Sequence, residues 1–123
     1  MNSCIIGIGS NINPNENIKR MLCLLAKDHR VGKHSSWVKT APIGITDQDD
    51  FVNGAVKVET QHDIDEFRNY LKRLEDRMGR DRSLPKFGPR VIDLDIVVWN
   101  GDIVDEDYHS RDFLRDSVNQ LLD

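Results

Sequence analysis

The chain has 123 residues, 38% of them hydrophobic and 31% charged, with a formal net charge of −4. That length suits a single domain over residues 1–123 with one core between two or three layers of secondary structure. The composition excludes a disordered, collagenous or disulfide-stapled chain, and the longest apolar runs, such as Ile96-Val97-Val98-Trp99, are too short to span a membrane.

Residues 3–9 read as a buried strand that ends in glycines. Asn13-Pro14 opens a helix, with proline suited to the first turn. Ile18, Met21, Leu22 and Leu25 give its apolar stripe, and Lys27, His29 and Arg30 fall near its C-terminal end, where cations suit the dipole. Residues 34–40 read as a second strand, and 41–50 as a loop built on Pro42, Gly44 and Asp47. Residues 51–60 read as a third strand: Val52, Val56 and Val58 share one face, and Phe51, Asn53, Lys57 and Glu59 the other. Asp63 and Glu66 form a capping-box start for a helix striped with Ile64, Phe67, Leu71, Leu74 and Met78, which Gly79 stops. Residues 80–90 form a long basic loop, 91–99 the clearest strand, and 101–104 a short hairpin strand. A last helix is expected over 112–122, with Phe113, Leu114, Val118, Leu121 and Leu122 apolar. The order β-α-β-β-α-β predicts an α+β, ferredoxin-like mixed sheet with helices on one face and a ligand groove on the other.

The N-terminus shows no basic stretch before an apolar run, so no secretory signal is readable and a cytoplasmic location is the expectation. Cys4 and Cys23 make no Cys-x-x-Cys and read as small buried hydrophobes. His29, His34, His62 and His109 show no metal-ligand spacing. Charge is uneven: residues 72–90 carry seven basic side chains against three acidic, and residues 91–123 two against nine. A basic block directly before an acidic strand suits a polyanion held through metal ions. Nucleic acid is not an expected partner, because the chain is acidic and the basic block holds one aromatic, Phe87.

The strand 91–99 carries the chemistry. Ile92, Leu94, Ile96 and Val98 alternate onto one face, and Asp93 and Asp95 emerge together on the other, about 7 Å apart at Cβ. Two carboxylates this close need positive compensation, from Arg or Lys or from Mg²⁺, which takes carboxylates together with substrate phosphates. The preceding loop supplies Arg80, Arg82, Lys86 and Arg90. Strand parity puts Phe51 and Asn53 opposite the core valines, so an aromatic and an amide could join the same groove and meet a ring-shaped ligand.

The run Phe87-Gly-Pro-Arg-Val-Ile-Asp-Leu-Asp-Ile-Val resembles the signature of the hydroxymethyldihydropterin pyrophosphokinases of folate biosynthesis. Gly9-Ser10-Asn11, Thr40-Ala41-Pro42-Ile43-Gly44, Phe51-Val52-Asn53 and Leu74-Glu75 with Gly79-Arg80 fall in the same order, so the resemblance covers about residues 4–104. It implies Mg²⁺-dependent transfer of pyrophosphate from ATP to 6-hydroxymethyl-7,8-dihydropterin. Asp93 and Asp95 would bind two Mg²⁺ ions, and Arg82 and Arg90 would reach the phosphates as catalytic groups. Thr40, Ile43, Phe51, Asn53, Phe87 and Phe113 would line the pterin. Lys72, Glu75, Arg82, Arg90, Ile96 and Arg111 would lie on the ATP side. The departures are also plain: Phe87 stands for the usual tryptophan, Ala41 for a common proline, and Lys72 where glutamine is frequent. The stretch after Val104 is reduced to Tyr108-His109-Ser110 before Arg111 and Phe113, and residues 114–123 read as a replacement helix, so the domain is expected to be C-terminally shortened. Loss of that stretch motivates a second reading, a non-catalytic pterin- or nucleotide-binding protein. An RNA-binding sheet is disfavoured because its open face would carry Asp93 and Asp95.

Overall fold

The computed structural model describes residues 1–122. The chain runs β1 (Asn2–Ser10), α1 (Pro14–Asp28), β2 (Arg30–His34), β3 (Val38–Thr40), β4 (Phe51–Thr60), α2 (Ile64–Arg77), β5 (Asp93–Trp99), β6 (Asp102–Ile103), α3 (Asp107–Ser110) and α4 (Asp112–Asn119). The strands form one sheet in the order β2-β4-β1-β5-β6, with β3 also paired to β4.

The expected α+β ferredoxin-like arrangement is present, but the sheet is antiparallel at every pairing rather than mixed. The cause is topological. The crossover through α1 joins β1 to β2 and skips β4, and the crossover through α2 joins β4 to β5 and skips β1. Each helical connection therefore returns the chain parallel to a strand that is not its neighbour.

The helices cover one face because their apolar stripes match the strand parity. Cys4, Ile6 and Ile8 of β1, Val56 and Val58 of β4, and Leu94 and Ile96 of β5 meet Met21 and Leu25 of α1 and Phe67, Leu71 and Leu74 of α2. Asp63 caps α2: its carboxylate accepts from the Glu66 N–H at 2.8 Å, and Glu66 accepts from the Asp63 N–H at 3.0 Å. The helix ends where Gly79 takes φ +94°, a left-handed conformation that glycine adopts without a Cβ penalty.

Several expectations need correction. The second strand begins at Arg30, not His34, and breaks into β2 and β3; Ser35 lies in the gap, where its N–H donates to the Ala55 carbonyl at 2.8 Å and its hydroxyl accepts from the Ala55 N–H at 2.8 Å. Val98 does not share the face of Leu94 and Ile96. The register shifts from Ile6 opposite Ile96 to Ile5 opposite Val98, so one extra residue bulges and Val97 and Val98 both join the second face. That face is only partly open, because Val118 and Leu121 pack on Ile5, Ala55, Val97 and Val98. The final helix α4 is shorter than 112–122, and it packs as a wall rather than lying as a separate tail. Cys4 is buried, which pushes its thiol up to about 12, but Cys23 is exposed on α1.

Candidate functional site

The second sheet face is left uncovered beyond Leu114, whose Cδ1 sits 3.0 Å from where a Cβ on Gly7 would lie. Two clefts open there. The first takes Gly9 from β1, Thr40, Ala41 and Ile43 from the end of β3 and the following loop, and Phe51 and Asn53 from β4. Lys86, Phe87 and Arg90 from the basic loop and Arg111, Phe113 and Leu114 near the chain end complete it. The second takes Arg68, Lys72 and Glu75 from α2, Arg80 and Arg82 from the loop, Ile96 from β5, and Val104 and Glu106 beyond β6. Asp93, Asp95, Asp105 and Asp107 line both.

Thr40, Ile43, Phe51, Asn53, Phe87 and Phe113 thus share the first cleft, and Lys72, Glu75, Arg82 and Ile96 the second, with Asp93 and Asp95 on the border. Arg90 and Arg111 line the first cleft and not the second.

In the first cleft the Asn53 amide is fixed: Nδ2 donates to Thr40 Oγ1 at 2.5 Å. Oδ1 lies 2.9 Å from where a Cβ on Gly9 would sit, so any side chain there would push on this amide. The Phe87 ring packs over Gly44, within 2.9 Å of the position a Cβ there would take. Phe87 is exposed, so it lies across the mouth of the cleft rather than in the core.

Two loops meet through Asn11, which is buried at 5% exposure. Its Nδ2 donates to Gln48 Oε1 at 2.9 Å and to the Asp49 carbonyl at 3.0 Å, and its Oδ1 accepts from the Arg90 N–H at 2.8 Å. Gln48 Nε2 in turn donates to the Phe87 carbonyl at 2.6 Å. The Arg90 guanidinium donates to the carbonyls of Pro85, Lys86, Gly88 and Pro89, so it braces its own loop.

The second cleft is organised by Glu75, 2% exposed on the last turn of α2. Its carboxylate accepts from the Leu94 N–H at 2.8 Å, from Arg80 Nη1 at 2.6 Å and from Arg82 Nη2 at 3.3 Å. This one side chain ties α2 to β5 and aims two arginines. Burial pushes Glu75 above the usual carboxylate range; the Leu94 N–H and Arg80 oppose that, Asp93 adds to it, and Arg82 opposes it. Arg82 also donates from Nε to Asp76 at 2.8 Å.

On the border, Arg80 Nη1 reaches Asp93 Oδ1 at 3.1 Å. Asp95 has no such partner among the described residues. Asp95 is exposed at the cleft, and the surrounding protein partly desolvates its carboxylate. That desolvation, then the charges of Asp93, Asp105 and Glu75, push Asp95 up to about 7 against the pull of Arg80. The donor set fits Mg²⁺: two carboxylates on neighbouring positions of one strand face, one of them without an ion-pair contact among the described residues, beside basic groups suited to phosphate. Among the described residues no three His, Cys, Asp or Glu side chains gather into a complete metal-holding group, so the remaining ligands would be substrate oxygens and water.

The sequence assigns no role to Asp105, Asp107, Asn11 or Gln48, although all four lie at the clefts or their rims. Arg80, expected among the loop cations that compensate the carboxylate pair, does meet Asp93, whereas Asp105 and Asp107 carry no signal beyond the acidic stretch. Asn11 follows a recognisable Gly-Ser, which was the available signal; Gln48 had none.

The family model described as 7,8-dihydro-6-hydroxymethylpterin-pyrophosphokinase matches residues 5–123. The chain belongs to this pyrophosphokinase family. A 2-amino-4-hydroxy-6-hydroxymethyldihydropteridine pyrophosphokinase of Haemophilus influenzae is 33% identical over 93% of the chain and 78% of its own length. One of Bacillus subtilis is 36% identical over 80% of the chain and 60% of its length. A folate synthesis bifunctional protein of Arabidopsis thaliana is 38% identical over 77% of the chain, which spans about a fifth (20%) of that relative. Among the described residues no helix is long and apolar enough to cross a membrane.

Proposed function

We propose that this pyrophosphokinase-family chain transfers pyrophosphate from ATP to 6-hydroxymethyl-7,8-dihydropterin, releasing AMP, with Mg²⁺ required. The observation that carries the reading is the position of Asp93 and Asp95 between two clefts of different chemistry. One offers an amide and aromatic rings, suited to a flat heterocycle with donors and acceptors on its edge. The other offers Lys72, Arg80 and Arg82, suited to a triphosphate. In the reaction the pterin hydroxymethyl oxygen attacks the β-phosphorus. The bond from that phosphorus to the oxygen bridging to the α-phosphate breaks, AMP leaves with the electron pair, and the hydroxyl proton passes to solvent.

Asn53, held by Thr40, reads the pterin edge, and Phe51, Phe113 and Phe87 enclose its faces. Arg82, and Arg80 beside it, offset phosphate charge, and Glu75 keeps both in place. Mg²⁺ held by Asp93 and Asp95, two ions in the full reading, would supply charge to the phosphate oxygens as they become more negative. Arg90 contributes by bracing the loop that carries Phe87. The Asn11–Gln48 bridge holds the two loops at the cleft mouth, where they exclude water.

The test is AMP formation by the purified chain with Mg²⁺, ATP and hydroxymethyldihydropterin, beside a longer relative as positive control. AMP release supports the proposal. Calorimetric binding of either ligand with no AMP, while the control turns over, refutes transfer and leaves a binding protein. Failure of both refutes the site.

A further inference from the structure

Arg80 stands where a cation would. One Nη nitrogen serves both Glu75 Oε2 at 2.6 Å and Asp93 Oδ1 at 3.1 Å. The side chain is 16% exposed, and its Nε is buried with no hydrogen-bond partner. Asp95, two residues along the same strand face, has no ion pair among the described residues. We infer that Arg80 is a built-in counter-ion that occupies Asp93 in the ligand-free protein and competes with a divalent cation for it. This rests on the reading of Asp93 and Asp95 as cation ligands.

Three features make Arg80 a competitor rather than a fixed strut. Its anchor is Glu75, not Asp93, since the shorter contact is to the buried carboxylate on α2. The arginine can therefore surrender Asp93 and still be held at the cleft. Its orphaned Nε means that the present pose leaves a buried donor unused, and a shift of the guanidinium toward a phosphate oxygen would satisfy it. Finally, Arg80 neutralises one carboxylate of the pair and leaves the other exposed to repulsion, so the acidic border keeps net negative charge for an incoming ion. Such a device keeps the nucleotide-free protein from holding divalent ions tightly. It frees Asp93 when a triphosphate gives the guanidinium a second place to bind.

The test needs no turnover. Mn²⁺ and Mg²⁺ are titrated calorimetrically into nucleotide-free protein at pH 8, comparing wild type, Arg80→Met, Asp93→Asn and the double variant. Removing a partly exposed ion pair from a cation ligand is expected to tighten Mn²⁺ binding by roughly three- to tenfold in Arg80→Met. The Arg80 substitution is expected to give no gain in the Asp93→Asn background. Unchanged or weaker binding in Arg80→Met, a gain that persists without Asp93, or no Mn²⁺ uptake by either protein up to millimolar levels would each overturn the inference. Thermal melts establish that Arg80→Met folds. If it does not, Arg80→Lys, which keeps charge with a shorter reach, is expected to give a smaller gain, and no gain at all would overturn it. AMP formation by wild type is scored separately, so failure of the transfer reading and failure of this one are distinguishable.

Discussion

Replacing Asp95 by asparagine should make the ligand-free protein more stable while removing its activity. Asp95 carries a charge that the fold does not welcome: partial desolvation and the neighbouring Asp93, Asp105 and Glu75 raise it to about 7 from an ordinary 3.8. The sign follows from proton uptake. Between the two values the folded chain binds more protons at this site than the unfolded chain, so stability falls as pH rises through that window and the full cost is present above about 7. The undamped difference would be about 4 kcal/mol. Asp95 opens to solvent, however, and screening there leaves ~1 kcal/mol. For a domain of this size that is a rise in Tm of about 3–5 °C at pH 8. Scanning calorimetry of wild type and Asp95→Asn from pH 8 to pH 4 should show a gain that is largest at pH 8 and shrinks toward pH 4. The same variant should lose AMP formation by on the order of 10³-fold or more. A variant less stable than wild type at pH 8, or a gain that does not change with pH, would refute the argument that unbalanced negative charge sits at this position.

Glu75→Ala leaves the Leu94 N–H without its acceptor and Arg80 without its anchor, and should cost about 3 kcal/mol in urea unfolding at pH 7. Gly9→Ala puts a methyl 2.9 Å from Asn53 Oδ1, so KM for the pterin should rise several-fold while ATP binding by calorimetry stays as in wild type. Phe67→Ala opens a cavity in the sealed helix-side core and should cost about 3–5 kcal/mol by the same urea assay. His29 is held below the ordinary histidine value by burial and then by His62, against Asp28 and the Leu25 backbone. Stability should therefore be lost as pH falls below about 6.5 toward the lowered folded value, visible as a depressed imidazole titration by NMR.

The helix-side core was legible because period and face are local properties. The stripes on α1 and α2 and the alternation on β4 each place side chains without reference to the rest of the chain, and all of them pack as read. What escaped was non-local. The bulge that turns Val98 to the second face depends on β1 and β5 disagreeing in length by one residue, which neither strand reveals alone. The start of β2 at Arg30 depends on β4 offering an edge immediately after the helix ends. The same division runs through the site. Asp93 and Asp95 could be paired from strand parity and a loop cation expected beside them, but which of Arg80, Arg82, Lys86 and Arg90 meets Asp93 depends on a contact from loop to strand across 13 residues that the spacing does not decide. Gln48 is more opaque still, since its partners Asn11 and Phe87 lie 37 and 39 residues away in opposite directions.

The two clefts differ in how their walls are made, and this bears on how the site can work. The floor belongs to the sheet: Gly9, Asn53, Asp93 and Asp95 sit on three adjacent strands whose other faces are locked into the helix-side core. Groups so placed keep their spacing whether or not a ligand is present, which is what the proposed in-line transfer between two bound molecules would require. The rims belong to loops 41–50 and 80–90, which are tied to the floor at few points. Asn11 links both, Gln48 joins one to the other, and Glu75 holds the start of the second through Arg80 and Arg82. Breaking those links leaves the floor intact, so loop rearrangement can admit substrates without disturbing the carboxylate pair. A fold that put Asp93 and Asp95 on the loops, and the aromatic cover on the strands, would change the spacing of the two carboxylates each time the clefts opened.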